Sequence, residues 1–599
     1  MSVVEQLSGQ PGLVVAHLAT VGEPVGRGDP LLVVESMKCE QRVDAVADGR
    51  LDWLADVGAV VAPEDRIARV VRRATPRPPS PAEVVALYLA EHGGRYEPLD
   101  LGPEAGAEAG IEAGIMSHRL GAHAAEVRRV WLCGDATRSL GAVAEPECRR
   151  ILAAIDLAEA EHVPLEWVTV SSGARISMES GTENMDWCAA VVRRLVEFTQ
   201  RGGEVVVVVA GVNVGAQSYW NAEATMLMHC AGTLVMVDGT SMVLTGNRSL
   251  ARAGGVSETS DHDLGGVGVM GGNGQAHHVV PDLPAAVRLV LDHHALCASG
   301  PHHPPVRAAT TDRADRDIGH DRYDGPVEHG WRTVGEVLSP ESHPTRTRPF
   351  DVRPVMRALA DRDAPRLERW AGMDGASGTV VWDTRVDGWP VSLIGIESAP
   401  RGTGDDWEAA GTLYPLGARK VARALNRASG RRPAVLLANL AGFDGSRRSL
   451  ADLQLEHGAE LARAVVNFRG PLVVVVIGRF HGGAYVVLNR RLNPELRIVA
   501  VEGTRVSVIG GSSAAEVVLR REVADEVERT GVDRDEAVRA VADRFDEVHG
   551  VERARAVGSV DLVIPPSCVR EAVSRLVAPT ALSTTRPARR PAGTTAVLS

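Results

Sequence analysis

Leu165-Glu166-Trp167-Val168-Thr169-Val170-Ser171-Ser172-Gly173-Ala174-Arg175 decides the fold, because its plan occurs twice in the chain. A strand-length apolar run ends abruptly in small residues and a glycine, with Pro164 and a helix-like run, Ile151–Glu161, before it. The same order returns 269 residues on: Lys420–Arg427, Pro433, the strand Ala434-Val435-Leu436-Leu437-Ala438, then Asn439-Leu440-Ala441-Gly442-Phe443. A second Val-rich strand follows in each copy, Glu204–Val209 and Pro471–Ile477. Each runs into a glycine loop, Gly215-Ala216 and Gly483-Ala484, at an offset of 268. Helical segments, Trp187–Gln200 and Leu453–Phe468, lie between the strands. Short Val-rich strands alternating with helices predict parallel βαβ units with right-handed crossovers. Two offsets agreeing within one residue predict a pseudo-dimer of two α/β domains.

The loops after these strands are the candidate chemistry. Gly-rich strand-to-helix turns present backbone N–H groups at helix N-termini, where negative charge is favoured. Gly173, Gly482 and Gly483 let the backbone approach a ligand closely. A packing glycine in an ordinary βα turn is the alternative reading of any one loop taken alone. No Ser-His-Asp or Cys-His arrangement is evident in the sequence.

Outward of the duplicated halves, the N-terminus reads differently. Leu31-Leu32-Val33-Val34-Glu35-Ser36 leads into Met37-Lys38, and a second strand-like segment, Gln41–Val46, follows. That pattern puts Met37-Lys38 in a hairpin turn, with the lysine clear of the surface. Turn residues at Gly22-Glu23-Pro24, Gly28-Asp29-Pro30, Asp48-Gly49 and Gly58-Ala59 fit a small flattened β-barrel over residues 1–72. A solvated turn lysine is the plain alternative for Lys38.

The remaining segments separate these bodies. Residues 73–124 begin with a proline-rich linker, extended at about 3 Å per residue. A short helix, Ala82–Glu91, and a Gly/Ala/Glu stretch, Gly102–Gly114, of no clear structure follow. The first α/β domain is read as 125–297 and the second as 349–578. Residues 298–348, rich in His, Pro, Asp and Arg, are read as an interdomain linker, and 579–599 as a disordered tail.

Composition narrows the function classes. A net charge of -12 and a pI near 5.9 exclude a phosphate-backbone binder. Seven cysteines without a CxxC pair suggest neither a zinc ribbon nor a disulfide framework. Runs such as Val205–Ala210 are too short to cross a bilayer, and the chain does not open on a basic start and an apolar segment. A soluble cytoplasmic protein is expected. The pairs His277-His278, His293-His294 and His302-His303 read as loop residues lacking acidic ligands at metal spacing, so no metal site is expected.

Two resemblances join these readings. Residues 1–72 resemble the biotinyl domain of biotin-dependent carboxylases, in which the modified lysine follows a methionine, as Lys38 follows Met37. Residues from about 125 to 578 resemble the carboxyltransferase of acyl-CoA carboxylases, a duplicated crotonase-like α/β fold. Ser172-Gly173-Ala174-Arg175-Ile176, Gly211-Val212-Asn213-Val214-Gly215-Ala216, and Leu264-Gly265-Gly266 with Asn273-Gly274 carry it in the first half. In the second half it rests on Ala438-Asn439, Gly442-Phe443, Gly445, His481-Gly482-Gly483-Ala484-Tyr485, Val508-Ile509-Gly510 and Ala514-Ala515-Glu516.

The resemblance implies transfer of a carboxyl group from carboxybiotin on Lys38 to the α-carbon of an acyl-CoA, giving a malonyl-CoA-type product. Acyl-thioester chemistry at that carbon passes through an enolate, whose oxyanion needs preorganised donors. By resemblance, N–H groups near Gly173, Ala174, Gly215 and Ala216 hold that oxyanion. Those near Gly442, Gly445, Gly482, Gly483 and Ala484 hold the ureido oxygen of the biotin side. Arg175 and Arg448 face the transferred carboxylate, with a surface salt bridge as the alternative for each. Val486 lines the acyl pocket, with core packing as its alternative. The chain shows no ATP-grasp domain, so a separate biotin carboxylase subunit and a biotin-protein ligase are implied. A homo-oligomer is implied too, because in this family one chain's first half faces a partner's second half.

Three departures from the family pattern stand out. Leu440-Ala441 replaces a Trp-Arg pair, Ser172 replaces a glycine of the bacterial form, and Tyr219-Trp220-Asn221-Ala222-Glu223 is more polar than expected. Tyr219-Trp220 keeps open a non-catalytic carrier or assembly subunit with drifted sites, and within the family a decarboxylase or transcarboxylase component running the transfer the other way is the other alternative.

Overall fold

The computed structural model describes residues 2–22, 24–25, 28–36, 39–47, 49–72, 77–102, 109–120, 126–175, 182–225, 231–246, 250, 260–297, 305–326, 330–402 and 407–578. They fall into two compact units, 1–78 and 79–599.

The N-terminal unit packs two four-stranded sheets face to face. One orders Ser2–Leu7, Arg66–Arg72, Gly49–Leu54 and Pro24–Val25; the other orders Cys39–Asp44, Pro30–Ser36, Gly12–His17 and Val60–Val61. Val14, Leu31, Leu32, Val34, Leu51, Ile67 and Val70 fill the space between them. Antiparallel pairing of Pro30–Ser36 with Cys39–Asp44 runs to Ser36 opposite Cys39. Met37 and Lys38, which separate those two residues in sequence, lie outside the described residues.

The larger unit contains two eight-stranded sheets of matching order. The first runs His278–Val280, Thr233–Val237, Val205–Val214, Leu165–Ser171, Glu126–Gly134, Ile111–Arg119, Arg95–Pro98, with Ser241–Val243 added to Val205–Val214. The second runs Leu562–Ile564, Leu496–Val501, Leu472–His481, Ala434–Leu440, Trp389–Ile396, Thr379–Val386, Leu367–Arg369, with Arg505–Ser507 added to Leu472–His481. Both are parallel at the centre, as the alternating pattern predicts, and antiparallel at the last three strands named.

All residues of Leu165–Ser171 are buried because both faces of the strand are covered. Leu165 and Trp167 pack with Ile151, Ile155 and Leu195 on one face; Val168 and Val170 pack with Val287 and Val290 on the other. This two-residue alternation is the strand's own geometry.

A buried ion cluster joins the two halves. Asp383 takes Arg369 at 2.5 Å, Arg427 at 3.1 Å and Arg432 at 3.2 Å. His293 Nδ1 accepts from Arg369 at 3.1 Å, and its Nε2–H meets Glu204 at 3.1 Å. Arg431 reaches the same Glu204 at 3.0 Å. Next to it His294 meets Glu166 at 2.7 Å, and Arg129 meets it at 2.6 Å. Burial raises the Glu166 carboxyl, but Arg129 and His294 outweigh it and bring it down to about 2.

Three sequence readings are corrected here. His278 begins a strand and His293-His294 sit on the helix Leu283–Cys297; all three are buried rather than loop residues, and His293 and His294 partner charged groups, while His302-His303 lie outside the described residues. The Gly102–Gly114 stretch leads into Ile111–Arg119, an almost wholly buried strand, while 103–108 lie outside the described residues. Residues 298–348 include the helix Val334–Leu338 and bury Ile318, Tyr323, Trp331, Val337 and Leu338 in the second half's core. The Asp and Arg residues that suggested solvent there pair with each other: Arg316 with Asp312 and Asp321, and Arg570 with Asp312 and Asp361.

Candidate functional site

Both halves bend their central strand at the same place. The ladder to the neighbouring strand slips between Thr169 and Ser171 and again between Ala438 and Leu440, 269 residues later. A bulge ends pairing and re-aims the chain. Beyond it each loop is held by a strap from the preceding segment. Ser172 N–H donates to Leu140 O (3.1 Å), Val143 N–H to Gly173 O (2.9 Å) and Arg175 N–H to Val143 O (2.7 Å). In the second half, Ala441 N–H donates to Gly411 O (2.7 Å), Asp444 N–H to Leu413 O (3.0 Å), and Thr412–Leu413 pairs with Gly442–Phe443. Ala174 and Phe443 therefore occupy equivalent places.

The second loop in each half starts a helix: Ala216–Ala224 after Gly215, and Gly482–Val487 after His481. Gly215 has φ +58° and Gly482 +61°, a left-handed conformation that glycine adopts without strain. This pairs Gly215 with Gly482, not with Gly483 as the sequence offset suggests; Ala216 then matches Gly483. The extra residue escapes sequence reading because both positions are glycine.

Hydrogen-bond accounting sorts the expected donors. Gly215 N–H is taken by Val243 O at 2.9 Å, and Gly173 N–H by Ser171 Oγ at 3.1 Å, so neither faces a ligand. The N–H groups of Ala174, Ala216 and Gly483 make no hydrogen bond among the described residues. The two loops of each half adjoin: a Cβ at Gly173 (φ +94°) would lie 3.3 Å from Val214 O, and one at Gly483 would lie 3.0 Å from the Phe443 ring.

The remaining expected residues scatter around these loops. Arg175 ion-pairs with buried Glu147 at 3.3 Å, and Glu147 also accepts Gly110 N–H and Ala144 N–H. Arg448 lines a cavity of about 1050 Å³ with Arg401, Trp407, Tyr414 and Asp444. Ala484 is fully buried. Val486 is 62% exposed, which removes core packing within this chain as its explanation. Gly442 has φ +143°; Gly445 has an ordinary backbone and open space where a Cβ would point.

Sequence reading missed what backs the loops. Asn213 Nδ2 donates to Thr169 O (3.2 Å) and Gly211 O (3.1 Å); Asn221 donates to Asn213 Oδ1 (3.1 Å), and Gln217 to Asn221 Oδ1 (3.0 Å). Trp220 stacks on Trp167 at 5.7 Å, and its indole N–H meets Cys188 O. Of the polar stretch that looked anomalous, Trp220 and Asn221 are thus buried and hydrogen-bonded, while Tyr219 is exposed. In the second half, His481 Nδ1 lies 3.1 Å from Ser507 Oγ, whose hydroxyl donates to Ile509 O. Burial, with Arg479 nearby, lowers His481 to about 4, so its imidazole is neutral.

No helix among the described residues is long and apolar enough to cross a membrane, and no group of three or more His, Cys, Asp or Glu among them could hold a metal ion.

Known proteins are similar to this chain in sequence and in fold. The chain is 25% identical to the beta6 subunit of the biotin-dependent acetyl-/propionyl-coenzyme A carboxylase of Mycobacterium bovis, over 76% of this chain and 86% of that one. It is 25% identical to the mitochondrial acetyl-CoA carboxylase of Saccharomyces cerevisiae over 52% of this chain, but spans only 14% of the yeast protein's length. A solved single-chain, multi-domain long-chain acyl-CoA carboxylase superposes with a TM-score of 0.61 at 19% identity, covering 96% of this chain and 56% of that chain; the likeness is one of fold. Residues 129–594 match the family described as the carboxyl transferase domain, and residues 7–70 match the family described as biotin-requiring enzyme. The chain belongs to the carboxyl transferase family, with biotin as its covalent cofactor.

Proposed function

We propose that this chain carries biotin on Lys38 and transfers a carboxyl group to the α-carbon of an acyl-CoA, giving a malonyl-CoA-type product. The duplicated strap-and-bulge loops carry this reading, because each half presents unengaged backbone N–H groups at one end of its sheet. Ala174 and Ala216 N–H groups polarise the thioester carbonyl and stabilise the enolate oxygen formed when the α-proton leaves. Fixed donors do this without reorganising during the reaction. Phe443 and Gly483 occupy the equivalent places in the second half and hold the ureido oxygen. Biotin, when bound, supplies the nitrogen that carries the carboxyl group between sites. The hairpin Pro30–Ser36/Cys39–Asp44 fits that group, since its strands pair right up to the residues flanking Met37-Lys38.

Arg175 is a positioning residue in this reading: paired to Glu147, it ties the loop to the helix Glu145–Ala160. Arg448 faces the entering donor from the 1050 Å³ cavity. Val486 offers an exposed apolar surface to an acyl chain. A separate biotin carboxylase subunit, a biotin-protein ligase and a partner copy of this chain complete the system. The Asn213–Asn221–Gln217 network supports an ordered first loop in this reading.

The test is transfer of labelled bicarbonate. The biotinylated chain is mixed with a biotin carboxylase subunit and acetyl-, propionyl- or longer acyl-CoA, with Lys38→Ala as control. Label reaching a thioester only when Lys38 is present supports the reading and names the acyl group. Labelled protein that passes nothing to any thioester sinks it.

A further inference from the structure

One cation beside the second-half loop has no counter-charge among the described residues. The buried arginines of this unit meet carboxylates: Arg129 meets Glu166, Arg369 and Arg427 meet Asp383, Arg431 meets Glu204, and Arg570 meets Asp361. Arg346 lacks a carboxylate but reaches three carbonyls, at 2.5, 2.7 and 3.2 Å. Arg423 lies over the Trp370 ring at 4.4 Å and donates to Gly274 O at 2.8 Å.

Arg479 has none of these. It is half-buried at the end of the strand Leu472–His481. Its Nε reaches Asn439 Oδ1 only at 3.4 Å and one terminal nitrogen reaches Ala410 O only at 3.5 Å. No carboxylate among the described residues lies within ion-pair distance of it. A guanidinium has five N–H donors, so most of its capacity is unengaged. Its cross-strand neighbour Arg505 is turned towards Asp546 at 3.9 Å. Partial burial of an unpaired charge costs free energy, and an anion that arrives there recovers it.

Position identifies the anion. Ala410 and Gly411 begin the strap: Gly411 O holds Ala441 N–H, and Thr412–Leu413 pairs with Gly442–Phe443. A Cβ on Gly411 would lie 3.2 Å from an Arg479 terminal nitrogen. Two residues on from Arg479 the chain reaches His481 and then the Gly482-Gly483 turn. The guanidinium therefore borders the loop assigned to the donor, and not the thioester loop of the first half.

We propose that Arg479 binds the carboxylate that biotin brings into the second-half loop, as a donor-binding residue distinct from Arg175 and Arg448. This rests on the function proposed above. A planar guanidinium offers a carboxylate two parallel N–H donors, which a lysine cannot.

The test uses the full biotinylated chain with a biotin carboxylase subunit. Phenylglyoxal labelling of Arg479, read by peptide mass spectrometry, is compared between the Lys38→Ala chain and the biotinylated chain supplied with ATP and bicarbonate. Labelling is expected in the first and is expected to fall by more than half in the second. Arg479→Gln is expected to lower carboxyl transfer at least about tenfold, with the acyl-CoA KM and the extent of biotinylation unchanged, and Arg479→Lys to fall between. Equal labelling in both chains overturns the inference, as does a wild-type rate in Arg479→Gln. If Arg479→Gln does not fold, Arg479→Lys and the labelling of wild-type protein decide. Protection of Arg479 without transfer to any acyl-CoA would overturn the proposed function and leave donor binding standing.

Discussion

The two halves of the transferase unit bend their strands alike and back the bends differently. The loop donors held by the straps match at an offset of 269 residues, at Ser172/Ala441 and Arg175/Asp444. Behind the first loop lies a neutral network of Thr169, Asn213, Gln217 and Asn221. Behind the second lie a neutral histidine, an Arg479 that meets no carboxylate among the described residues, and a cavity of about 1050 Å³. Duplication kept the backbone donors, which any oxyanion needs, while the side chains diverged. On the proposed function, the half that receives a neutral thioester does not need a spare cation, whereas the half that receives an anion does.

The largest effect should come from the carboxylate at the centre of the buried ion cluster. Asp383 is buried and serves Arg369, Arg427 and Arg432. Asp383→Asn leaves three guanidinium groups facing a neutral amide and should cost about 3–5 kcal/mol. Denaturant unfolding checks this. A loss below about 1 kcal/mol would mean that the fold does not depend on this carboxylate.

Next in size is the loop glycine of the first half. Gly173→Ala puts a Cβ 3.3 Å from Val214 O at φ +94° and forces the two loops apart. Losing one aligned oxyanion donor costs roughly 10²–10³ in rate. Transfer of labelled bicarbonate should fall by that factor, while the fold loses only about 1–3 kcal/mol of backbone strain. An unchanged rate would move the thioester site away from this loop.

A third effect is pH dependence set by the buried histidines of the seam. Burial lowers His294 to about 4, against the hydrogen bond it donates to Glu166 and with Arg129 and His293 also facing it. An unfolded histidine titrates near 6.5. Between these values the unfolded chain holds a proton that the folded chain refuses. Stability is therefore fully present above about pH 6.5 and falls as pH drops towards 4, by about 3 kcal/mol for this group. Burial lowers His277 and His278 too, which steepens the same slope. Melting temperature followed from pH 7 to 4 checks this. His294→Gln, which can still donate to Glu166, should flatten the curve; an unaltered curve would place the proton elsewhere.

Much of the fold was legible because hydrophobic periodicity and repetition are backbone-scale signals. Strands of five or more valines and leucines ending in glycine can hardly be read otherwise, and the two copies vouch for each other. What stayed hidden was pairing. Asp312, Arg316 and Asp321 read as solvated loop residues, because composition cannot reveal that each charge meets its opposite within the chain. Tyr219-Trp220-Asn221 read as drift, because a helix that backs a bulged strand must supply amides to the carbonyls the bulge releases. The straps were invisible for another reason: Val143 and Leu413 act through backbone groups, which carry no residue signature.

The smallest expected effect is the most discriminating for the second loop. Gly442 and Gly445 stand three residues apart, and both have open space where a Cβ would point. Only Gly442 has a positive φ, +143°, so Gly442→Ala should cost about 1–3 kcal/mol from strain alone. Gly445→Ala meets neither strain nor a neighbour, and should leave stability within about 0.5 kcal/mol. Its rate then reports purely on the ligand. Unchanged transfer means that the donor stops short of Gly445 and rests on Phe443 and Gly483. A rate that drops while the melting temperature holds means that the ligand passes against Gly445 itself. That result would put the floor of the donor site on the loop and make the open space there part of its shape.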